Sequence, residues 1–116
     1  MNIKYDLEER TLLFSKNIIN FLKKQQFTTL NKNIISQLLR SATSVGANYR
    51  EANGAISKKD FKNKIHFCRK EIQETKYWIE LLNELIKEEE KEELKKLFQE
   101  AHELTLIFNK ISSSLK

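Results

Sequence analysis

Catalysis and metal binding need partner residues at fixed spacings, and this chain offers few. His66 and His102 stand thirty-six positions apart, with no Glu-x-x-His pattern beside either, so no paired metal ligands can be assembled from them. Cys68 is the only cysteine, which excludes an internal disulfide and a zinc constellation. No glycine-rich phosphate loop and no Ser-His-Asp set can be composed. That leaves Asn48 and Glu51, three apart within SVGANYREANGAISKKDF, residues 44–61. They flank an apolar seam, where a carboxylate must be paired or partly wet because burying it alone is expensive. A lone carboxylate lacks the second acid, base or nucleophile that a mechanism requires. Asn48 and Glu51 therefore read as a hydrogen-bonded, ion-paired layer fixing helix register, with a ligand or partner site as the alternative. No catalytic residue, metal or cofactor is expected.

Charge points to a different chemistry. Arg10 to Lys70 holds thirteen Lys and Arg against Glu51 and Asp60, a local charge of +11, whereas Glu80 to Lys116 carries −3. A coat that served only solubility would not segregate in this way. Lys58, Lys59, Lys62, Lys64, Arg69 and Lys70 crowd one segment, and Arg40 and Arg50 stand on the segment before it. A phosphate backbone is the matching negative lattice, and each phosphate neutralised releases counterions. Arg40, Arg50, Lys58, Lys59, Lys62 and Arg69 are the expected phosphate contacts. No helix-turn-helix signature accompanies them, so binding would read backbone or shape more than base sequence. A solvated lysine face with no partner is the alternative.

Four amphipathic segments must position these groups. The third is the clearest: Phe61, Ile65, Cys68, Ile72, Thr75, Ile79, Leu82 and Ile86 follow at steps of four and three. Such alternation keeps one apolar stripe on one helix face and suits helices packed near 20°. The fourth repeats it through Leu94, Leu97, Ala101, Leu104, Phe108, Ile111 and Leu115, and the first through Leu7, Thr11, Phe14, Ile18 and Phe21. The second carries Ile35, Leu38, Ala42, Val45, Tyr49 and Ala52, with Ile56 past its end. With no strand-like alternation, the pattern predicts an all-α, antiparallel up-down-up-down four-helix bundle. Its helices are expected near residues 6–25, 31–53, 58–87 and 90–113 of a single domain, 1–116.

The breaks agree. Asn53-Gly54 can end the second helix in the left-handed conformation that helix C-termini favour. Ser57 with Asp60 resembles a capping box opening the third, and the acids of KEEEKEE, 87–93, suit the positive start of the fourth. Ser41, Ala42, Ser44, Gly46 and Ala47 thin the second helix, which suits close approach of a neighbour, since a mid-helix glycine costs about 1 kcal/mol against alanine. Leu12, Leu13, Ile19 and Leu22, with Tyr77, Trp78, Leu81 and Leu85, widen two stripes beyond what a small interior holds. A subunit interface would cover that excess, with a fatter monomeric core as the alternative. The charged start MNIKYDLEER has no apolar core for a signal peptide, no apolar run approaches the roughly 20 residues that span a bilayer, and the single thiol fits a reducing, cytoplasmic setting.

QLLRSATSVGANYREA, 37–52, followed by A-x-S-x-x-DF, K-I, KE, ET and YW-x-EL through Leu81, resembles the 23S rRNA-intervening sequence proteins. The resemblance is strong over the second and most of the third segment, loose over YDLEERT, and one of pattern only in the fourth. It implies an up-down-up-down bundle that assembles into a homo-oligomer, a pentameric ring, with no associated catalysis. That family is similar to the accessory variability protein of diversity-generating retroelements, a basic pentamer that partners a reverse transcriptase and nucleic acid. One departure is local. The family usually carries one or more basic residues between the positions of Glu51 and Ser57, where this chain has Ala52-Asn53-Gly54-Ala55-Ile56.

The sequence thus predicts a non-catalytic, homo-oligomeric bundle whose basic face associates with RNA, DNA or a ribonucleoprotein. The alternative is a scaffold or accessory subunit, for instance of a reverse transcriptase, without nucleic-acid contact. A small-ligand enzyme is a distant third.

Overall fold

Steps of four and three hold side chains on one face only if the backbone is helical, and helices account for most of the described residues. In a computed structural model, which describes residues 3–115 and side chains from Leu7 to Leu115, α1 spans Ile3–Leu22, α2 Lys32–Asn53, α3 Lys58–Asn83 and α4 Lys91–Ser114. A 3-10 turn, Glu88–Glu90, leads into α4. No strand occurs among the described residues.

Cross-helix pairs give the topology. Between α2 and α3, Glu51 meets Lys64, Val45 meets Cys68 and Ser41 meets Thr75. One number falls as the other rises, so these helices are antiparallel. The same inversion links Arg69 with Asn109 and Lys76 with His102 for α3 and α4, and Arg10 of α1, and Lys24 just beyond its end, with Glu100 and Glu93 of α4. Thr11 faces Gly46 and Ser15 reaches Ala42 across α1 and α2. The result is an up-down-up-down bundle measuring 44 × 27 × 20 Å.

The apolar stripes meet inside it. Phe14, Ile18, Phe21, Leu38, Val45, Ile65, Ile72, Leu82, Leu94, Leu104 and Phe108 are essentially inaccessible to solvent. Each such aliphatic or aromatic side chain contributes about 1.5–3 kcal/mol by leaving water. Phe61, Ile86, Ile111 and Leu115, at the stripe ends, pack against this core while only partly covered.

Two helices stop earlier than the sequence pattern suggests. α1 ends at Leu22 rather than near residue 25, and α3 at Asn83 rather than near 87. Glu84 and Leu85 close the last turn of α3 by bonding back to the Leu81 and Leu82 carbonyls. At the other end, Ser57 is extended and its Oγ accepts the Asp60 N–H at 3.0 Å, the expected N-cap. The end of α2 departs from expectation: Gly54 has φ −96°, and no described residue has positive φ. The Gly54 and Ala55 N–H groups instead bond the Glu51 and Ala52 carbonyls at 3.1 and 3.0 Å. The helix therefore closes by tightening, without a left-handed residue.

Gly46 is explained by the close approach of α1. A Cβ there would lie 3.3 Å from Thr11 Oγ1 and 3.4 Å from Thr11 Cβ, tighter than ordinary packing. The small residues of α2 let two backbones come together.

Candidate nucleic-acid interface

The six cations singled out in the sequence divide by what each touches. Arg40, near the middle of α2, faces α3: its Nη1–H donates to Glu71 Oε2 at 3.0 Å, and its Nη2 is paired with Glu74. Glu71 is buried and Glu74 half-buried. Trp78 Nε1–H also donates to Glu74 Oε2, at 3.0 Å. That indole bond, followed by Arg40, outweighs the opposing effect of burial and holds Glu74 below the usual carboxylate range. Arg69 is likewise committed. Its Nε–H donates to Asn109 Oδ1 at 2.9 Å and its Nη1–H to Ser112 Oγ at 3.2 Å, tying α3 to the end of α4. Both guanidiniums hold helices together, so they are poor candidates for phosphate contact.

Lys58, Lys59 and Lys62 are different. They occupy the first turns of α3, all exposed, and none has an ion-pair partner among the described residues. Residues three and four apart share a helix face with Cβ atoms about 5–6 Å from each other, so Lys62 stands beside both Lys58 and Lys59. Lys58 and Lys59 sit in the first turn, at the positive end of the α3 macrodipole, where a cation is disfavoured by roughly 0.3–1 kcal/mol. The three lysines line a cleft of about 740 Å³ together with Ala55, Ile56, Ser57, Phe61, Ser114 and Leu115. Arg50 is exposed but opens onto a separate groove between α1 and α2, with Glu8, Thr11, Leu12 and Gly46. Arg40 lies about 20 Å down the bundle from Lys58, at 1.5 Å per residue. The structure thus gathers three of the six at one end and disperses the others.

Asn48 and Glu51 sit on the flank of the seam, each with a polar partner. Asn48 is half-buried and donates from Nδ2 to the Ser44 carbonyl of its own helix at 2.9 Å. Glu51 is exposed and reaches Lys64 across α2 and α3 at 3.7 Å. A buried polar contact between α2 and α3 lies two turns earlier: the Ser41 and Thr75 hydroxyls are 2.9 Å apart, with Thr75 Oγ1 2.8 Å from the Glu71 carbonyl. Thr75 falls on the α3 stripe and Ser41 beside the α2 stripe, so two hydroxyls on facing seams were the available signal. Cys68 is wholly buried, and the resulting loss of solvation pushes its thiol up to about 12.

Among the described residues, no group of three or more His, Cys, Asp or Glu could hold a metal ion, and no helix is long and apolar enough to cross a membrane. Ile56, in the connection between α2 and α3, is 96% exposed and forms a wall of the lysine-rimmed cleft.

Among solved structures, the chain is similar to a Bacteroides thetaiotaomicron protein of unknown function from the S23 ribosomal protein family. The two share 35% identity over 90% of this chain and 96% of that one, with a TM-score of 0.76. No match is found among curated proteins. The description of 23S rRNA-intervening sequence proteins matches residues 4–110, nearly the whole bundle. Motifs, four-helix topology and solved neighbour agree, and the chain belongs to the 23S rRNA-intervening sequence protein family.

Proposed function

We propose that this protein is a non-catalytic, homo-oligomeric bundle of the cytoplasm that holds the phosphate backbone of nucleic acid, RNA foremost, at its basic end. One observation carries the reading. Lys58, Lys59 and Lys62 stand exposed and without ion-pair partners among the described residues, at the start of α3, where the helix dipole disfavours cations and favours an anion. Bound phosphate relieves that repulsion. The family's name refers to 23S rRNA and the neighbour's to a ribosomal protein family, and both names support an RNA partner. Exposed Leu12, Leu13 and Ile19 on α1 give the bundle an apolar face that further copies would cover, in the pentameric ring that the sequence resemblance implies.

The test is retention of labelled RNA by nuclease-treated protein across a salt series. Log affinity should fall against log salt by about 0.7 per single-strand phosphate or 0.9 per duplex phosphate contacted. Replacing Lys58, Lys59 and Lys62 with glutamine should flatten that slope and leave helicity unchanged. It should also raise stability by a few tenths to about 1 kcal/mol, because cations leave a positive helix end. Absence of RNA retention at low salt would transfer the case to a second reading, an accessory subunit that binds protein. That reading is favoured by a cleft of about 490 Å³ between α3 and α4, floored by Ile79, Leu94 and Phe98.

A further inference from the structure

The basic end is more than a charged surface. Its cleft of about 740 Å³ falls within the roughly 300–1,000 Å³ range of small-molecule sites, and its sides differ in chemistry. Ile56 rises as one wall, 96% exposed and packed against nothing, while half-buried Phe61 and Leu115 supply further apolar surface. Lys58, Lys59 and Lys62 stand on the α3 side, and the Ser57 Oγ is already occupied by the Asp60 N–H. An apolar slot edged by ammonium groups matches a flat, weakly polar group carried between phosphates, which is the form of a nucleobase turned out of its stack. A bilayer is the poorer match, because amphipathic elements that bind membranes bury a broad apolar face, and here one isoleucine protrudes alone.

We infer that this cleft takes an unpaired nucleotide of RNA, such as a bulge or loop residue, with its base between Ile56 and Phe61 and its flanking phosphates on Lys58, Lys59 and Lys62. The inference rests on the nucleic-acid reading above and names the substrate class of that site. Bases in bulges and loops are open to side chains, whereas the deep groove of paired RNA is too narrow to admit them. Lodging a base against apolar side chains is largely tolerant of base identity, so the cleft selects for an unpaired nucleotide and not for a sequence.

The experiment uses the full chain and two RNA hairpins that are identical except for one 2-aminopurine bulge. Binding is followed by anisotropy, and base environment by 2-aminopurine fluorescence. The bulged hairpin should bind about tenfold more tightly, the lower part of the range for one stacked base, with a clear change in 2-aminopurine emission. Ile56→Ser, at a position that packs against nothing, should abolish the preference while preserving melting temperature and salt slope. Replacing the three lysines with glutamine should weaken both hairpins and flatten the slope by about 2–3. Equal affinity for the two hairpins with a steep slope intact would overturn the nucleotide site and leave the basic-end reading standing. Failure of both hairpins to bind at low salt would overturn both. Phosphatidylserine vesicles form the third arm: Ile56-dependent vesicle binding without a bulge preference would reassign the cleft to lipid and overturn the inference.

Discussion

Replacing Arg40 separates a structural cation from a nucleic-acid contact. Arg40→Gln leaves Glu71 without its cationic partner while its side chain remains only 11% exposed. A buried hydrogen-bonding group left unsatisfied costs about 1–3 kcal/mol. Loss of the pairing with Glu74 adds less, because Arg40 is itself 44% exposed and water screens the interaction. Together these give a loss of about 2 kcal/mol, or roughly 8 °C in melting temperature for a domain of this size. Urea unfolding should show a lower midpoint at unchanged slope, the signature of altered stability without altered compactness. Adding Glu71→Gln should recover at least half of the loss, since a buried amide does not require a cation. RNA retention should stay near that of the parent. If Arg40→Gln unfolds at the parental midpoint while RNA retention falls, Arg40 is a phosphate ligand and the assignment of its ion pairs is mistaken.

Other predictions use the same physical terms. Glu74, held below its ordinary range, contributes stability that is present above its unfolded value and lost as pH falls through its folded one. Trp78→Phe removes the indole bond and should shrink that loss, measured as a shallower fall in urea midpoint between neutral and acid pH. Gly46→Val drives a branched side chain against Thr11 and should cost about 1–3 kcal/mol. Gly46→Ala should be near neutral in the parent but gain up to about 1 kcal/mol in a Thr11→Ala background, where Oγ1 no longer stands in the way. Cys68, buried and with its thiol pushed up to about 12, should resist a disulfide reagent at pH 8 in the native protein and react fully in denaturant. Rapid native labelling would show that α2 and α3 open locally.

Much of this protein was legible before its fold. The stripes of α1, α2, α3 and α4 were set by spacing, because a helix returns to one face every three or four residues whatever surrounds it. Ser57 as an N-cap was equally local, since its hydroxyl reaches the Asp60 N–H within a single turn. Gly46 announced that a neighbour comes close, and Thr11 is that neighbour. What spacing could not supply was the pairing of side chains from different helices. Arg40 and Lys59 are alike as cations in the sequence, yet Glu71 and Glu74 meet one, while the other has no ion-pair partner among the described residues. Asn48 and Glu51 lie beside the seam in the sequence, as Ser41 does, yet only Ser41 is fully buried, against Thr75, because rotation and register within the bundle decide which flank is covered. The cleft at the basic end belongs to the tertiary structure for the same reason. Ile56 and Leu115 are fifty-nine residues apart in the chain, and only the antiparallel return of α4 beside the start of α3 brings them to one cavity.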